Sequence, residues 1–198
     1  VDNFDFMVGA TGRQRNDYKD GNGNTVVNSH FRVITEIGKV NVRPADGHEL
    51  KFGFINYEAQ FDNGLPNATS TATVYATDVI NQIATGRWRY NRPDDKLFDF
   101  DVNTYWTRNK TTQLKSQGVG LPLSAPLGSE RSFQVETIGF DANNTSRWES
   151  GPWRAALTVG GDAFQDQVTV VDPAGTGELF TPNGKRTDSG AFAQLRTN

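Results

Sequence analysis

A strictly alternating stretch between Leu97 and Arg108 constrains the fold of this chain more than any other feature. One set of alternate residues carries no charge, and the residues between them are polar. The uncharged set is Phe98, Phe100, Val102, Thr104 and Trp106, and the polar set is Asp99, Asp101, Asn103, Tyr105 and Thr107. Alternation with a period of two is typical of a β-strand whose two faces meet different surroundings.

The length of this strand favours a membrane-spanning segment. Soluble strands usually contain about 5–6 residues, whereas about 9–11 residues at a tilt of about 45° cross a bilayer. From Phe98 to Trp106 the strand climbs roughly 20 Å along the membrane normal, at about 3.3 Å per residue. Aromatic residues at both ends of the apolar face match the girdles of outer-membrane barrels. The alternative is a half-buried strand of a soluble sandwich.

Composition excludes several classes of protein. The 198 residues contain no apolar stretch near the roughly 18 residues of a transmembrane helix. Cysteine is absent, which excludes disulfide scaffolds and thiolate metal sites. A net charge of −3 disfavours a nucleic-acid partner, which would need a basic surface. The mean hydropathy of −0.60 is compatible with a barrel, because only alternate strand residues would meet lipid.

The rest of the sequence predicts about eight antiparallel strands in an up-and-down meander. The predicted strands cover residues 3–13, 31–42, 49–60, a stretch that ends at 90, 97–108, 133–143, 153–164 and 188–196. A bulge is predicted in the second strand, where Val33 and Ile34 are adjacent apolar residues. Long connections (14–29, 61–74, 109–130 and 166–185) alternate with short ones (44–47, 91–95 and 144–151). Outer-membrane barrels show this asymmetry, with short periplasmic turns and long extracellular loops.

Several segments resemble the barrel of TonB-dependent outer-membrane receptors, most of all the haem and haemoglobin branch. The resemblance rests on YKDGNGN (18–24), YNRPDD (90–95), TIGFDANNT (137–145), GGDAF (160–164), TPNGKR (181–186) and GAFAQL (190–195). Such receptors have about 22 strands around a plug domain that TonB engages. The resemblance implies that residues 1–198 form one partial β-barrel domain, an excised piece without the plug or the remaining strands.

The resemblance also implies a function in transport rather than catalysis. The whole receptor would lie in the outer membrane of a Gram-negative bacterium and take up haem, or iron from a haem- or iron-carrying protein. Its implied partners are outer-membrane lipid, the haem or its carrier protein, and the TonB system through the missing plug. Haem would be cargo, and the fragment would hold no resident cofactor. A soluble β-sandwich that binds carbohydrate on its tryptophans is the alternative from the residues alone.

The candidate site residues form two groups. The predicted lipid-facing residues are Phe4, Phe6, Val8, Phe98, Phe100, Val102 and Trp106. The predicted extracellular-loop residues are Asp20, Asn22, Asn24 and Asn63. Asp20, Asn22 and Asn24 have the spacing of a calcium loop, but Thr25 replaces its glycine and Phe31 its glutamate, so a Gly/Asn turn is the interpretation.

The two histidines are the imidazole candidates for a haem-iron ligand. His30 borders the first long loop and is the candidate; His48 follows a short turn, where we expect it to be solvated. The two short motifs that flank the ligating histidine in the haem branch are absent from this sequence. Asp99 and Asp101 share a strand face and are interpreted as lining a wet interior rather than as catalysts.

Overall fold

The computed structural model describes residues 3–64, 72–118, 125–173 and 181–197, and these form one antiparallel sheet of eight strands. The strands are β1 (Phe4–Arg15), β2 (Phe31–Val42), β3 (His48–Asn63), β4 (Val74–Asn91), β5 (Asp99–Gln117), β6 (Glu130–Ser150), β7 (Trp153–Val171) and β8 (Gly184–Thr197). Each strand pairs only with its neighbours in sequence, which confirms the predicted all-β meander. Over these ranges, no helix has the length and apolarity needed to span a membrane.

Long and short connections alternate along the meander, as predicted. The short ones, residues 43–47, 92–98 and 151–152, all lie at one end of the sheet because successive strands run antiparallel. The longer ones lie at the other end and begin after β1, β3, β5 and β7. The parts of the predicted long loops at 65–71, 119–124 and 174–180 lie outside the described residues.

Several strands are longer than the sequence predicts, and they take residues from the predicted long loops. Residues 109–117 belong to β5 and residues 166–171 to β7, so these parts of the loop prediction are wrong. Asn63, predicted in a loop, is the last residue of β3 and pairs with Tyr75. Near its loop end β5 carries polar residues on both faces, so the alternation that marks a strand disappears although the backbone pairing with β6 continues.

The predicted short turn around residues 144–146 is also wrong, because β6 continues through it to Ser150. Asparagine, threonine and serine are typical of turns, but here their side chains bind neighbouring strands. The hydroxyls of Thr145 and Thr158 lie 2.9 Å apart across the β6–β7 pair. The chain reverses instead at Gly151, whose φ of 60° favours glycine, and Pro152.

Two further details of the strands differ from the prediction. β2 keeps an unbroken register with β1 and β3, so it contains no bulge at Val33 and Ile34. The register shift of the β4–β5 pair lies instead between Val74 and Tyr75. Phe98 precedes β5 rather than starting it, because its backbone N–H donates to the Asp95 carboxylate at 3.0 Å.

The sheet encloses almost no apolar core of its own. Among the described residues, the buried apolar side chains are Val26, Ala59, Val74, Ala125 and Val170. Large apolar residues are exposed instead, including Phe6 at 66%, Leu195 at 65% and Trp153 at 70%. A soluble sandwich would cover such a face with a second sheet. The structure therefore does not favour the sandwich alternative.

Candidate functional site: two faces of the sheet and the first loop

The pairing register sorts the strand residues onto two faces. Directly paired residues point to the same side of a sheet, and successive residues along a strand point to opposite sides. One row across five strands is Val40, Phe52, Gly86, Thr104 and Phe140. We call the face that holds this row the outer face, and the opposite face, which holds Asp99 and Asp101, the inner face.

The outer face carries an apolar band in its half nearest the short turns. Within the described residues, no Asp, Glu, Lys or Arg interrupts the band, whose members are Phe4, Phe6, Val8, Val40, Val42, Leu50, Phe52, Phe54, Ala84, Trp88, Phe100, Val102, Trp106, Ile138, Phe140, Ala142, Leu157, Val159, Ala163, Ala191, Ala193 and Leu195. Six of the seven predicted lipid-facing residues lie in this band. The seventh, Phe98, lies just before β5 with its ring 6.2 Å from the ring of Phe100. That the band contacts lipid remains a prediction.

A row of polar side chains bounds the band on the side of the long loops. We call Glu36, Asn56, Gln82, Arg108 and Glu136 the polar row, since they pair across β2 to β6. The amide of Gln82 donates to Asn56 at 3.2 Å, and the amide of Asn56 donates to Glu36 at 3.2 Å. Asn56 is only 8% exposed, so the centre of the row is buried, whereas Glu36 in β2 is exposed.

Trp106 marks the boundary between the apolar band and the polar row. Its indole Nε1–H donates to the Glu136 carboxylate at 2.7 Å, while its ring lies at the upper limit of the apolar residues. An aromatic ring with one apolar body and one polar tip suits the boundary between an apolar medium and water. The place of Trp106 in an upper aromatic girdle of a membrane remains a prediction.

Aromatic side chains also bound the band at the short-turn end. Trp88 stacks on His48 with the ring centres 6.0 Å apart, and its Nε1–H donates to His48 Nδ1 at 3.1 Å. Tyr90 packs against His48 with the ring centres 4.8 Å apart, and its hydroxyl donates to Asp95 at 3.0 Å. His48 is therefore a half-buried member of an aromatic cluster, and it is the first residue of β3 rather than a turn residue as predicted. Trp148 and Trp153 flank the turn at 151–152 on the same outer face.

The inner face is polar, and its charged groups are paired across strands. The Arg87 guanidinium binds Asp101 through two nitrogens, with Nε 2.9 Å from Oδ1. Asp99 pairs with Arg147, and the amide of Asn103 donates to Asp141 at 2.8 Å.

These partners give the inner-face carboxylates a structural role. The paired state of Asp99 and Asp101 agrees with their interpretation as interior lining rather than an acid–base couple. No group of three or more His, Cys, Asp or Glu side chains in the described ranges is placed to hold a metal ion.

The first long loop, residues 16–30, is folded by its own side chains. Asp20 Oδ1 accepts the backbone N–H groups of Asn22 and Asn24, each at 2.9 Å, and Oδ2 accepts the amide of Asn24 at 3.2 Å. These bonds, those from Asn24 above all, lower the pKa of Asp20 below its ordinary value. Because both oxygens of Asp20 fold the turn, the Gly/Asn turn describes this segment better than a calcium loop.

His30 connects the first loop to the end of β3. Its Nδ1 lies 3.2 Å from the Asp17 carboxylate, and its Nε2 lies 3.7 Å from Asp62. Desolvation alone would raise the pKa of Asp17, but hydrogen bonds from Ser29 and His30 outweigh it and lower that pKa. Both ring nitrogens of His30 thus face carboxylates, so in this arrangement neither is directed at a ligand. Its role as a haem ligand remains a prediction.

Sequence reasoning missed the polar row. Its members are ordinary polar residues with no shared motif, and they come together only because the register aligns five strands. A signal was present in β5: the uncharged alternation ends at Trp106, and Arg108 and Lys110 then occupy the same face. The end of alternation locates the upper boundary of the band on each strand, as it does at Phe54 in β3.

The meander order and the apolar outer face define the fold as a segment of an up-and-down β-barrel. No protein-family model and no curated protein matches the sequence. Among solved structures, the chain is similar to the hemophore receptor HasR of Serratia marcescens, a double mutant in complex with its hemophore HasA and heme. The TM-score is 0.71 at 20% identity, over 99% of this chain and 27% of that one. It is also similar to the copper transporter OprC, with a TM-score of 0.54 at 14% identity over 97% of this chain and 30% of that one.

Both structures are TonB-dependent outer-membrane receptors, and neither is an enzyme. At these identities the similarity shows the fold alone: the chain has the fold of part of a TonB-dependent receptor barrel, as the sequence resemblance implied. The chain spans less than a third of the length of either structure.

Proposed function

We propose that the chain is a segment of the barrel of a TonB-dependent receptor in the outer membrane of a Gram-negative bacterium, and that the whole protein takes up haem or iron from a haem- or iron-carrying protein. One observation carries the membrane part of this proposal. The outer face has an apolar band without charges between two boundaries of polar-tipped aromatic residues, and the inner face opposite it is ion-paired. A barrel that separates lipid from a wet interior needs this arrangement.

In this proposal the two faces of the sheet and its long loops meet different surroundings. Phe4, Phe6, Val8 and the other band residues contact lipid, and the inner face lines the lumen. The long loops lie outside the cell, where Asp20, Asn22 and Asn24 present a preformed turn to the carrier protein. Asn63 supports the base of the second loop from the end of β3. The TonB system acts through the plug of the whole receptor.

The haem cargo is supported less directly than the membrane face. The strand-and-turn patterns of the sequence resemble the haem branch, and the higher of the two TM-scores belongs to a receptor whose structure contains heme. His30 is the candidate ligand within this chain, although it would have to leave Asp17 and Asp62 to bind iron.

The membrane placement is tested by quenching of tryptophan fluorescence with brominated lipids. In the full-length receptor, single-tryptophan variants that retain Trp106 or Trp88 are reconstituted in bilayers with bromine at a defined depth. We expect both to be quenched most by bromine near the interfaces, and a tryptophan placed at Val102 by bromine near the centre. The control is a tryptophan at Asn103, on the inner face, which should be quenched weakly. A chain that is monomeric in plain buffer, with Phe100 and Trp106 in a closed core, would overturn the proposal.

The cargo is tested by haem titration of the full-length receptor in detergent. Binding shifts the Soret band, and the shift should be reduced in His30→Ala if His30 ligates the iron, while His48→Ala should behave like the unmodified receptor. A Soret shift that survives His30→Ala would remove His30 as the ligand without removing haem as the cargo. Absence of both haem binding and haem-protein binding would overturn the cargo proposal and leave the membrane placement intact.

A further inference from the structure

On the inner face, the half nearest the long loops differs from the half nearest the short turns, which contains the ion pairs described above. Four rows of paired residues cross β1 to β6 in the half nearest the long loops, from the row that contains Ile83 to the row that contains Gln113. No Asp or Glu occupies these rows on the six strands, and their charged members are Arg13, Arg15 and Arg131. This part of the inner face is therefore apolar or neutral apart from three cations.

Two carboxylates at or just beyond β7 lie close to these rows, and neither forms an ion pair with the three arginines. Asp166, on the inner side of β7, is bound by Arg186 of β8 at 2.8 Å. Asp172 follows the last residue of β7, is only 7% exposed, and forms no ion pair with Arg131. Within the described ranges, the three arginines therefore carry the charges of this surface that no carboxylate neutralises.

Arg131 is held in a position that leaves its two terminal nitrogens available. Its guanidinium carbon lies 4.4 Å from the centre of the Tyr75 ring and 5.6 Å from the centre of the Phe133 ring. Its Nε donates to the side-chain oxygen of Gln113 at 2.9 Å, and Gln113 is only 9% exposed. No acceptor in the described residues binds the two terminal nitrogens, and a guanidinium can hold both oxygens of a carboxylate through such a pair.

Uncharged side chains surround Arg131 on the same face. Phe133 pairs with Thr111, which pairs with Val79, and Val135 in the next row is 43% exposed. A ligand with an apolar body could cover these side chains while an anionic group at its edge contacts Arg131. The same small ligand would not reach Arg13 or Arg15, because β1 lies five strand spacings, or roughly 24 Å, from β6.

We infer that the inner face around Arg131 binds an apolar ligand that carries a carboxylate, and that Arg131 is the residue that recognises this carboxylate. Haem belongs to this chemical class, since it combines a flat apolar ring with carboxylate side chains. The inference rests on the proposed function, because it places the cargo on the inner face near the long loops. It goes beyond that function by naming a residue that binds the edge of the cargo rather than its iron.

The test is a titration of the full-length receptor in detergent with haem and with haem dimethyl ester, in which both carboxylates are blocked. We expect Arg131→Gln to weaken haem binding by roughly 10- to 100-fold, since hydrogen bonds to a charged group are lost. Binding of the ester should change little in this variant, because the ester offers Arg131 no charge. Arg131→Lys keeps the charge but not the planar guanidinium, so it should cause a smaller loss of haem affinity.

The matched control is Arg108→Gln, which should bind haem like the unmodified receptor. Arg108 lies on the outer face, and its Nε likewise donates to a glutamine, Gln134, at 3.0 Å. Unchanged haem affinity in Arg131→Gln would overturn the inference. Equal losses for haem and its ester would also overturn it, because Arg131 would then support the fold or bind another part of the receptor. Both results leave the haem cargo intact, whereas a receptor that binds neither compound would overturn the inference and the proposed haem cargo together.

Discussion

The inner and outer faces of the sheet are built from the same strands but are stabilised in different ways. In β5, Asp101 points inward and is held by Arg87, whereas its neighbour Val102 points outward into the apolar band. The inner face finds its partners within the sheet, so its stability depends on specific pairs of side chains. The apolar band of the outer face has no such charged pairs among its members, and its stability depends on the medium that covers it. The comparison shows that one strand can be stabilised by specific side-chain pairs on one face and by the surrounding medium on the other.

The largest expected effect on stability comes from a charge placed in the apolar band of the outer face. Val102→Arg puts a cation in the middle of the apolar band and should destabilise the folded barrel by about 2–4 kcal/mol at the bilayer midplane. The measurement is guanidinium unfolding of the full-length receptor from lipid vesicles. Asn103→Arg is the matched control, since it adds the same charge on the inner face beside Asp101 and Asp141. Equal losses in the two variants would contradict the difference between the faces.

A smaller effect is expected at the boundary of the outer face. Trp106→Phe keeps most of the apolar ring but removes the donor to Glu136, and a hydrogen bond to a charged group contributes about 1.5–3 kcal/mol. We expect a loss near the lower end of that range, measured by the same unfolding experiment. A second variant, Trp106→Phe/Glu136→Gln, should recover part of the loss because the half-buried carboxylate that lost its donor is then replaced by a neutral amide. A loss unaffected by Glu136→Gln would mean that the ring alone matters.

The inner face is tested by a double-mutant cycle on Arg87 and Asp101, an ion pair formed through two guanidinium nitrogens. Arg87→Met and Asp101→Ala should each lower the free energy of unfolding, with a coupling of about 1 kcal/mol, since the pair is partly solvent-exposed. The coupling should fall as salt is raised, because salt screens the interaction of exposed charges. A coupling free energy of zero at low salt would show that the inner face, like the apolar band, is not stabilised by this specific pair.

The first loop extends the comparison, because its carboxylates accept hydrogen bonds mainly from backbone N–H groups of the loop, with the His30 ring as a further partner of Asp17. The folded-state pKa values of Asp17 and Asp20 lie below their ordinary values, so the stabilisation is complete above the ordinary carboxyl pKa and is lost as pH falls through the lowered one. Carbon NMR titration of the two carboxyl groups should therefore give midpoints below the usual value of about 3.9. Salt should change the Asp20 midpoint little, unlike the Arg87–Asp101 coupling, because hydrogen bonds lower the pKa of Asp20. Asp20→Asn should abolish the hydrogen-exchange protection of the backbone N–H groups of Asn22 and Asn24.

The sequence was sufficient to predict the parts of the fold where the two faces differ. Phe100, Val102 and Trp106 alternate with Asp101 and Asn103, so the strand, its direction and its two sides were all visible. Connection lengths then predicted the meander. The prediction failed where the two faces become alike. Beyond Trp106 both faces of β5 are polar, so the pattern resembles a loop, although the backbone pairing with β6 continues to Leu114.

Cross-strand chemistry explains the remaining errors. Thr145 lies in a segment whose composition is typical of a turn. Its partner Thr158 lies elsewhere in the sequence, so no local pattern shows their contact. The same is true of His48, whose neighbour Trp88 reaches it only through the register of β3 and β4. The candidate site also divides into parts that local sequence shows and parts that depend on contacts between strands. The band was predictable residue by residue, whereas the polar row depends on the alignment of five strands.

The meander order has a consequence for how such a chain can change. Every strand pairs only with its neighbours in sequence, and each pair of strands joined at the short-turn end brings one long connection with it at the far end. A hairpin is therefore a self-contained module, and its duplication or loss leaves the routing of the rest of the chain unaltered. The width of the sheet and the number of long connections then change together, with one long connection for every two strands. Duplication of a hairpin therefore adds a new long connection while the pairing of the existing strands stays unchanged.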